Sequence, residues 1–231
     1  MTLSEVVILC GGRGTRLRSV VKDVPKPMAS VSGRPFLDLL LNQFSNLGFS
    51  RAVLSTGYMA SIIRNHFGDR FCAMELLYVE DPEPLGTGGA ARAGAQACSG
   101  ESILVCNGDT FIEFDLPAAR SLCANKCSPV VVTLRVPDTE RYGRIEVDGS
   151  SQARFCGRGV AGEGLISGGV YLLARSLLVE DSRPTPFSME DFVFDIARPG
   201  AAYAVEARGR FIDIGVPRDY EIAQAMFGRT P

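Results

Sequence analysis

The sequence predicts one α/β domain built on a mostly parallel, mixed sheet with helices on both faces. Three observations predict it. Short apolar runs alternate with segments of helical period through the first half of the chain. The first run, Val6 to Leu9, leads straight into a glycine-rich loop, as a strand does when its end faces a ligand. The length of 231 residues lies within what one such domain fills, and lets it bury about 70% of its unfolded surface. No linker, repeat or low-complexity segment divides the chain. Residues 1–231 are therefore read as a single domain, with one half at about 1–136 and the other at 137–231.

The elements follow in order. Val6–Cys10 is the first strand. Phe36, Leu37, Leu40, Leu41, Phe44 and Leu47 recur at helical spacing, and Gly48 stops that helix. Ala52–Ser55 is a second strand, Met59–Phe67 a short helix and Met74–Val79 a third strand. Gly89–Ala97 is an alanine-rich helix. Ser102–Cys106 is a fourth strand, ending on Asn107-Gly-Asp-Thr110. Leu116–Asn125 is helical and Val130–Val136 is a β-branched strand. The second half changes character. Arg144–Asp148 and Gln152–Cys156 flank Gly149-Ser-Ser151 as a hairpin, and Ile166–Leu173 is a strand containing Gly168-Gly169. Ser188 can cap a helix over Met189–Ala197. Ala202–Val205 and Arg210–Ile214 are strands, and Pro217 suits the first turn of a last helix to Met226. The hairpin half is expected to form a small β-rich lobe or lid on the first half.

Composition sets limits on function. Apolar residues make up 46% and charged residues 22%, as in a soluble globular protein. The formal net charge of −2 argues against a non-specific nucleic-acid binder, which needs a basic surface. No signal peptide, lipidation motif or apolar run of about 18 residues occurs, so neither export nor membrane insertion is expected. The seven cysteines form no Cys-x-x-Cys pair, and several sit in apolar runs where a thiol acts as a small hydrophobe. Free thiols fit a reducing, cytoplasmic compartment. The single histidine, His66, ends an amphipathic segment and reads as a helix-surface residue, so no His-based dyad or zinc site is expected.

The glycine loop carries most of the functional signal. It reads Leu9-Cys-Gly-Gly-Arg-Gly-Thr-Arg-Leu17, followed by Pro25-Lys-Pro-Met28. Glycines let backbone N–H groups approach phosphates, and arginines neutralise phosphate charge. Lys26 sits between two prolines, on a stiffened segment that can hold an ammonium in place. Residues 11 to 26 hold Arg13, Arg16, Arg18, Lys22 and Lys26 against one acid, Asp23, which points to an anionic small ligand. The dinucleotide fingerprint fails, because Leu17 stands where its third glycine belongs. The P-loop fails too, since no Gly-Lys-Ser/Thr occurs. The pattern suggests a nucleoside triphosphate site. The plain alternative is a tight turn with solvated arginines.

Ligands of open parallel sheets bind at the carboxyl ends of the strands. Asp109 follows the fourth strand and is expected on the same rim as Gly11–Arg16. Asp213, in Phe211-Ile-Asp-Ile-Gly-Val-Pro217, lies near another strand end. Two carboxylates with phosphate oxygens suit Mg²⁺, which keeps several waters and seldom uses an all-protein cage. A turn-forming role is the alternative for Asp109. Leu85-Gly-Thr-Gly-Gly89 is a second glycine loop. Its amides and Thr87 could read a nucleobase or a ribose, or could simply open a helix.

These motifs together resemble the sugar-1-phosphate nucleotidylyltransferases. The resemblance begins with Leu9–Leu17 and Pro25–Pro27. It continues through Gly86-Thr-Gly88, Gly108-Asp109, Tyr142-Gly143, Gly168-Gly-Val-Tyr171 and Asp213-Ile-Gly-Val-Pro217, in the family's order. It implies a Rossmann-like sheet with a sugar-binding lobe. It implies that Leu9, Gly11, Gly12, Arg13, Gly14 and Thr15 wrap the nucleotide, with Gly86, Thr87 and Gly108 near it. Arg16 would bind the departing pyrophosphate, Lys26 would reach the reacting phosphates, and Asp109 and Asp213 would hold Mg²⁺. Tyr142, Gly143 and Gly169 would border the sugar phosphate. The family has Glu-Lys after the hairpin, where this chain has Gly157-Arg158. Arg158 can replace the lysine, and Glu163 is the candidate to replace the glutamate.

The implied reaction is attack of a sugar 1-phosphate oxygen on the α-phosphorus of a nucleoside triphosphate, with pyrophosphate leaving. Positioning and charge neutralisation would suffice. The segments Pro84–Gly89 and Ser55-Thr-Gly-Tyr58 are similar to the heptose and mannose branch of the family. They imply GTP as donor and a D-glycero-D-manno-heptose 1-phosphate as acceptor, making a GDP-heptose for capsule or lipopolysaccharide. Mannose 1-phosphate, or UTP or dTTP as donor, stays open. So does a non-catalytic regulatory subunit, although Lys26, Asp109 and Asp213 are all present. A dinucleotide oxidoreductase lacks its third glycine. A homodimer is compatible with the sequence.

Overall fold

The computed structural model describes residues 3–12, 14, 16–17, 19–81, 83–196 and 202–228. In chain order the first half supplies β1 (Glu5–Leu9), a 3₁₀ turn (Lys26–Met28), β2 (Ser30–Val31), β3 (Arg34–Pro35), α1 (Phe36–Asn46), β4 (Arg51–Thr56), α2 (Ala60–Phe67), β5 (Arg70–Phe71), β6 (Met74–Glu80), α3 (Gly86–Gln96), β7 (Ser102–Asn107), β8 (Thr110–Ile112), α4 (Leu116–Lys126) and β9 (Val130–Val136). The second half supplies β10 (Arg144–Val147), β11 (Gln152–Gly157), β12 (Gly164–Ala174), α5 (Arg175–Val179), α6 (Met189–Ile196), β13 (Ala202–Glu206), β14 (Phe211–Asp213) and α7 (Pro217–Phe227).

One ten-stranded sheet runs through both halves in the order β10-β11-β13-β9-β12-β7-β1-β4-β6-β5. The block β7-β1-β4-β6 is parallel, as the alternation of strands and helices predicts. β12 is antiparallel to both of its long neighbours, β7 and β9. The hairpin of β10 and β11 therefore extends the main sheet through β13 and also touches β12. It is not a separate lobe.

Alternation along the central strands explains their unbroken apolar runs. On β1, Val6 and Ile8 pack into one core with Phe36, Leu37 and Leu40 of α1. Val7 and Leu9 face the other way, into a core with Ala91 and Ala95 of α3, Leu178 of α5 and Phe192 of α6. A strand covered on both faces has no polar side to show. The small residues of α3 let it lie close to the sheet. A Cβ added at Gly94 would overlap a methyl of Val7.

Three features differ from the sequence reading. α3 begins at Gly86 rather than Gly89, so the second glycine loop is itself the first helical turn. Tertiary packing on Phe187 outweighs the low helix propensity of glycine there. Phe211–Asp213 stays outside the main sheet and pairs with β8, Asp213 standing opposite Thr110. Short strands such as β5 and β8 are too brief to show a period. The expected last residue of α6, Ala197, lies outside the described residues. No helix among the described residues is long and apolar enough to cross a membrane.

The edge of the sheet opposite the carboxyl ends of β1 and β4 is closed by one buried acid. The Glu5 side chain, 4% exposed, pairs with Arg51 at 2.8 Å. It also accepts from the Ser99 and Gly100 amides, the former at 2.9 Å. Burial alone would raise its pKa, but the Gly100 and Ser99 amides and the Arg51 guanidinium hold it below the usual value. Glu5→Ala is expected to cost about 3 kcal/mol in denaturant unfolding, since it leaves the Ser99 and Gly100 amides without their acceptor and Arg51 with only Glu75 of its two carboxylates. Because the folded carboxyl is the stronger acid, its contribution is complete above the unfolded carboxylate pKa. It is lost as pH falls through the folded value, and the variant's stability should depend less on pH across that window.

Candidate active site

The carboxyl ends of β1, β6 and β7 open onto a cleft in two parts, each of about 570 Å³. Gly86, Thr87, Asn107 and Asp109 line both parts. One part runs along Leu9, Gly11 and Gly12 to Asp81 and Tyr58. The other is bordered by Arg16, Arg141, Tyr142, Arg158, Gly169 and Asp213. Each half of the chain thus contributes walls, and the fourth-strand turn supplies the ridge between them.

Three charges meet at that ridge. The Lys26 ammonium, on the 3₁₀ turn, pairs directly with Asp109 Oδ2 and lies 3.8 Å from Asp213 Oδ1. Asp109 follows β7, as predicted, and accepts a hydrogen bond of 3.2 Å from Thr110. Asp213 ends β14, which its pairing with β8 carries to the same rim. Its carboxylate accepts from the Gly215 amide at 2.7 Å and from Arg141 at 3.4 Å. Arg141 also donates to Asp219 at 2.7 Å and lies over the Tyr142 ring, 4.5 Å from its centroid. Burial first, and Asp109 second, push the Asp213 carboxyl up from its ordinary value against the pull of Lys26. Two carboxylates that converge on one ammonium already form a cation site. They are the donors that could hold a divalent metal, and no group of three or more His, Cys, Asp and Glu side chains that could hold a metal occurs among the described residues.

The joint between the two parts depends on Gly86 and Thr87. Gly86 has φ +73°, and a Cβ on it would overlap the Phe187 carbonyl. Gly88 donates its amide to that same carbonyl at 2.9 Å. Thr87 Oγ1 accepts from the Met189 amide at 2.9 Å, at the start of α6. The hydroxyl thereby joins α3 to α6 through its oxygen, while Thr87 lines both parts of the cleft.

Other expected residues take several places. Gly14 packs on the Lys26 side chain, 3.3 Å from its Cβ to where a Cβ of its own would stand. Gly108 donates its amide to Leu9 O at 3.0 Å and brings β7 against β1. Gly143 sits beneath the Phe155 ring, which an added Cβ would meet at 2.7 Å, next to Tyr142 on the cleft border. Arg13 and Thr15 lie outside the described residues. Glu163 is a correction. Its side chain is 68% exposed and faces Arg135 at 3.8 Å, away from the cleft. Its position between β11 and β12 points it outward, and it cannot replace the glutamate absent at Gly157. His66 is exposed at the end of α2 and stacks edge-on against Phe67. All seven cysteines are free.

Sequence reasoning missed Asp81, Arg141, Glu190 and Asp191, all of which line the cleft. The acids of Glu80-Asp81-Pro-Glu83 stand just before the second glycine loop, a signal that was available. Burial raises the Asp81 carboxyl above its ordinary value, although Ser55 Oγ donates to it at 3.3 Å.

The comparisons with known proteins agree with this geometry. Residues 5–227 match the family model described as nucleotidyl transferase. The chain is 36% identical over 217 residues to the D-glycero-alpha-D-manno-heptose 1-phosphate guanylyltransferase of Campylobacter jejuni subsp. jejuni serotype O:2, covering 94% of this chain and 96% of that one. It is 35% identical over 222 residues to the enzyme of the same name from Aneurinibacillus thermoaerophilus, covering 95% and 96%. Among solved structures, HddC from Yersinia pseudotuberculosis complexed with GMP-PN superimposes with a TM-score of 0.83 at 34% identity, over 97% of this chain and 99% of that one.

Gly86→Ala tests the joint. The strained φ and the overlap with Phe187 are expected to cost about 1–3 kcal/mol in denaturant unfolding. Thr87→Val, which removes only the bond to Met189, should cost about 1 kcal/mol.

Proposed function

Because the chain belongs to the nucleotidyl transferase family, we propose that it transfers GMP from GTP to D-glycero-D-manno-heptose 1-phosphate, giving a GDP-heptose and pyrophosphate. The observation that carries this reading is the two-part cleft with Asp109 on its ridge. One part suits a nucleotide against the first glycine loop, and the other a sugar phosphate among arginines. The heptose 1-phosphate guanylyltransferases that match nearly end to end support the choice of sugar and base. The GDP-sugar would serve cell-surface polysaccharide synthesis from the cytoplasm.

The base choice has a physical basis in Asp81. Guanine offers two adjacent donors, N1–H and N2–H₂, and one carboxylate can accept both. Uracil and thymine set one donor between two carbonyl oxygens, which a carboxylate repels. Adenine and cytosine offer a ring acceptor at that position. Asp81 directly follows β6 and lines the nucleotide part of the cleft, with Glu80 and Glu83 beside it.

In the reaction, a phosphate oxygen of the sugar 1-phosphate attacks the α-phosphorus in line. The bond from the α-phosphorus to its bridging oxygen breaks, and pyrophosphate leaves with the electron pair. The attacking oxygen is already anionic, so no protein base takes a proton. Arg16 would neutralise the leaving pyrophosphate and Lys26 the oxygens of the reacting phosphate. Arg158 and Arg141 border the space for the sugar phosphate. Leu9, Gly11 and Gly12 line the nucleotide side. The meeting of Asp109 and Asp213 on one cation fits Mg²⁺. A bound Mg²⁺ would supply further charge neutralisation at the phosphate oxygens.

Pyrophosphate release with Mg²⁺, across five nucleoside triphosphates and a panel of hexose and heptose 1-phosphates, tests the reading. Release with GTP and the heptose 1-phosphate is the expected result. Preference for another pair would overturn the substrate, and silence from folded protein would favour a regulatory subunit. Asp81→Asn should lower kcat/KM for GTP by about 10- to 100-fold and narrow the margin over UTP. Asp109→Asn and Asp213→Asn should each remove Mg²⁺-dependent turnover in folded protein. Lys26→Ala should lower kcat far more than it weakens GTP binding, because its charge acts most in the transition state.

A further inference from the structure

The sugar side of the cleft contains a wired carboxylate that the reaction chemistry above does not use. Glu190, in the first turn of α6, lines this part of the cleft. Its Oε1 accepts a hydrogen bond of 2.9 Å from the hydroxyl of Tyr171, and the Tyr171 side chain is wholly buried on β12. The same hydroxyl lies 3.0 Å from Ser167 Oγ, which accepts from the Gly169 amide at 3.2 Å. An ionised carboxylate can only accept. The proton order is therefore fixed: Gly169 N–H to Ser167 Oγ, Ser167 O–H to Tyr171 Oη, Tyr171 O–H to Glu190. Every donor in the relay points toward Glu190, and such chains strengthen one another in a low-dielectric setting. Burial, and then Glu190, push the Tyr171 hydroxyl well above its ordinary pKa and keep it a donor.

This wiring is more than the fold needs. Ser167 alone would satisfy the buried tyrosine. Drawing a carboxylate toward it from another element adds desolvation cost. The register shift of β12 between Ser167 and Val170 places the relay at the cleft, and Gly169 there lines the same wall. A Cβ on Gly169 would meet Asn107 Nδ2 at 2.5 Å, so the bulge is held tightly to the ridge. The cations that line this part, Arg16, Arg141 and Arg158, suit a phosphate rather than hydroxyls.

We propose that Glu190, held by Tyr171, is the carboxylate that accepts hydrogen bonds from hydroxyls of the sugar ring and so selects the sugar. One oxygen is fixed by the tyrosine, and the carboxylate presents its remaining acceptor capacity to the cleft. Tyr171 is a positioning residue acting through Glu190. The inference rests on the reading that the acceptor is a sugar 1-phosphate.

Steady-state kinetics of Glu190→Gln, Glu190→Asp and Tyr171→Phe test it. The glutamine keeps an oxygen for Tyr171 but turns an amide donor to the cleft. Its KM for the sugar 1-phosphate is expected to rise by about 10- to 100-fold with the KM for GTP within about twofold. Tyr171→Phe should raise the same KM, and Glu190→Asp should fall between wild type and the glutamine. Deoxy analogues of the sugar 1-phosphate supply a second readout. The analogue lacking the recognised hydroxyl should bind wild type more weakly and show little further loss in Glu190→Gln. An unchanged sugar KM in Glu190→Gln, with unchanged ranking of the analogues, would overturn the role of Glu190. If wild type binds GTP yet releases no pyrophosphate with any sugar 1-phosphate, the functional reading itself fails and this inference falls with it.

Discussion

Lys26 between Asp109 and Asp213 is the constraint on which the rest depends. Two carboxylates repel when brought to one place out of bulk water, and a cation must stand between them. Here the cation comes from a 3₁₀ turn stiffened by prolines, one acid from the turn after β7, and the other from the end of β14. Segments more than 80 residues apart in sequence meet in a single electrostatic knot. The small pairing of β8 with β14 makes sense in this light. Phe211–Asp213 gives up a place in the main sheet to bring its acid to the rim.

A second joint ties the two parts of the cleft to each other. Gly86, Thr87 and Gly88 meet Phe187 and Met189 through backbone and hydroxyl bonds. Arg92 and Arg183 stack on the Phe187 ring, at 5.1 and 5.3 Å from its centroid. The loop that lines both parts of the cleft is thereby bonded directly to the start of the helix that carries Glu190.

Much of this was legible in the sequence. The central strands could be read because they are buried on both faces, and their apolar runs are unbroken. Lys26, Asp109 and Asp213 could be read because glycine and proline punctuation marks the turns that carry them. The boundary of α3 could not, since glycines that disfavour a helix in isolation are required there by the closeness of Phe187. Glu190 was hidden for a different reason. It looks locally like a residue of a capped helix start, and only the tertiary arrangement turns it toward the cleft. Glu163 shows the converse, since a plausible sequence offset carries no information about direction.

The seating of β12 has a consequence for how the molecule is made. Its strand belongs to the second half of the chain, yet it lies between β7 and β9 of the first. A nascent chain that has reached the end of β9 thus holds two strands with a vacant slot between them. Those exposed edges stay open until about forty further residues have left the ribosome, a span set by the end of β12 at Ala174. Biosynthesis imposes a waiting period that the finished sheet conceals. During it, the face of the parallel block β7-β1-β4-β6 that carries α3 still lacks Leu178 of α5 and Phe192 of α6, and the chain is most exposed to stray strand pairing.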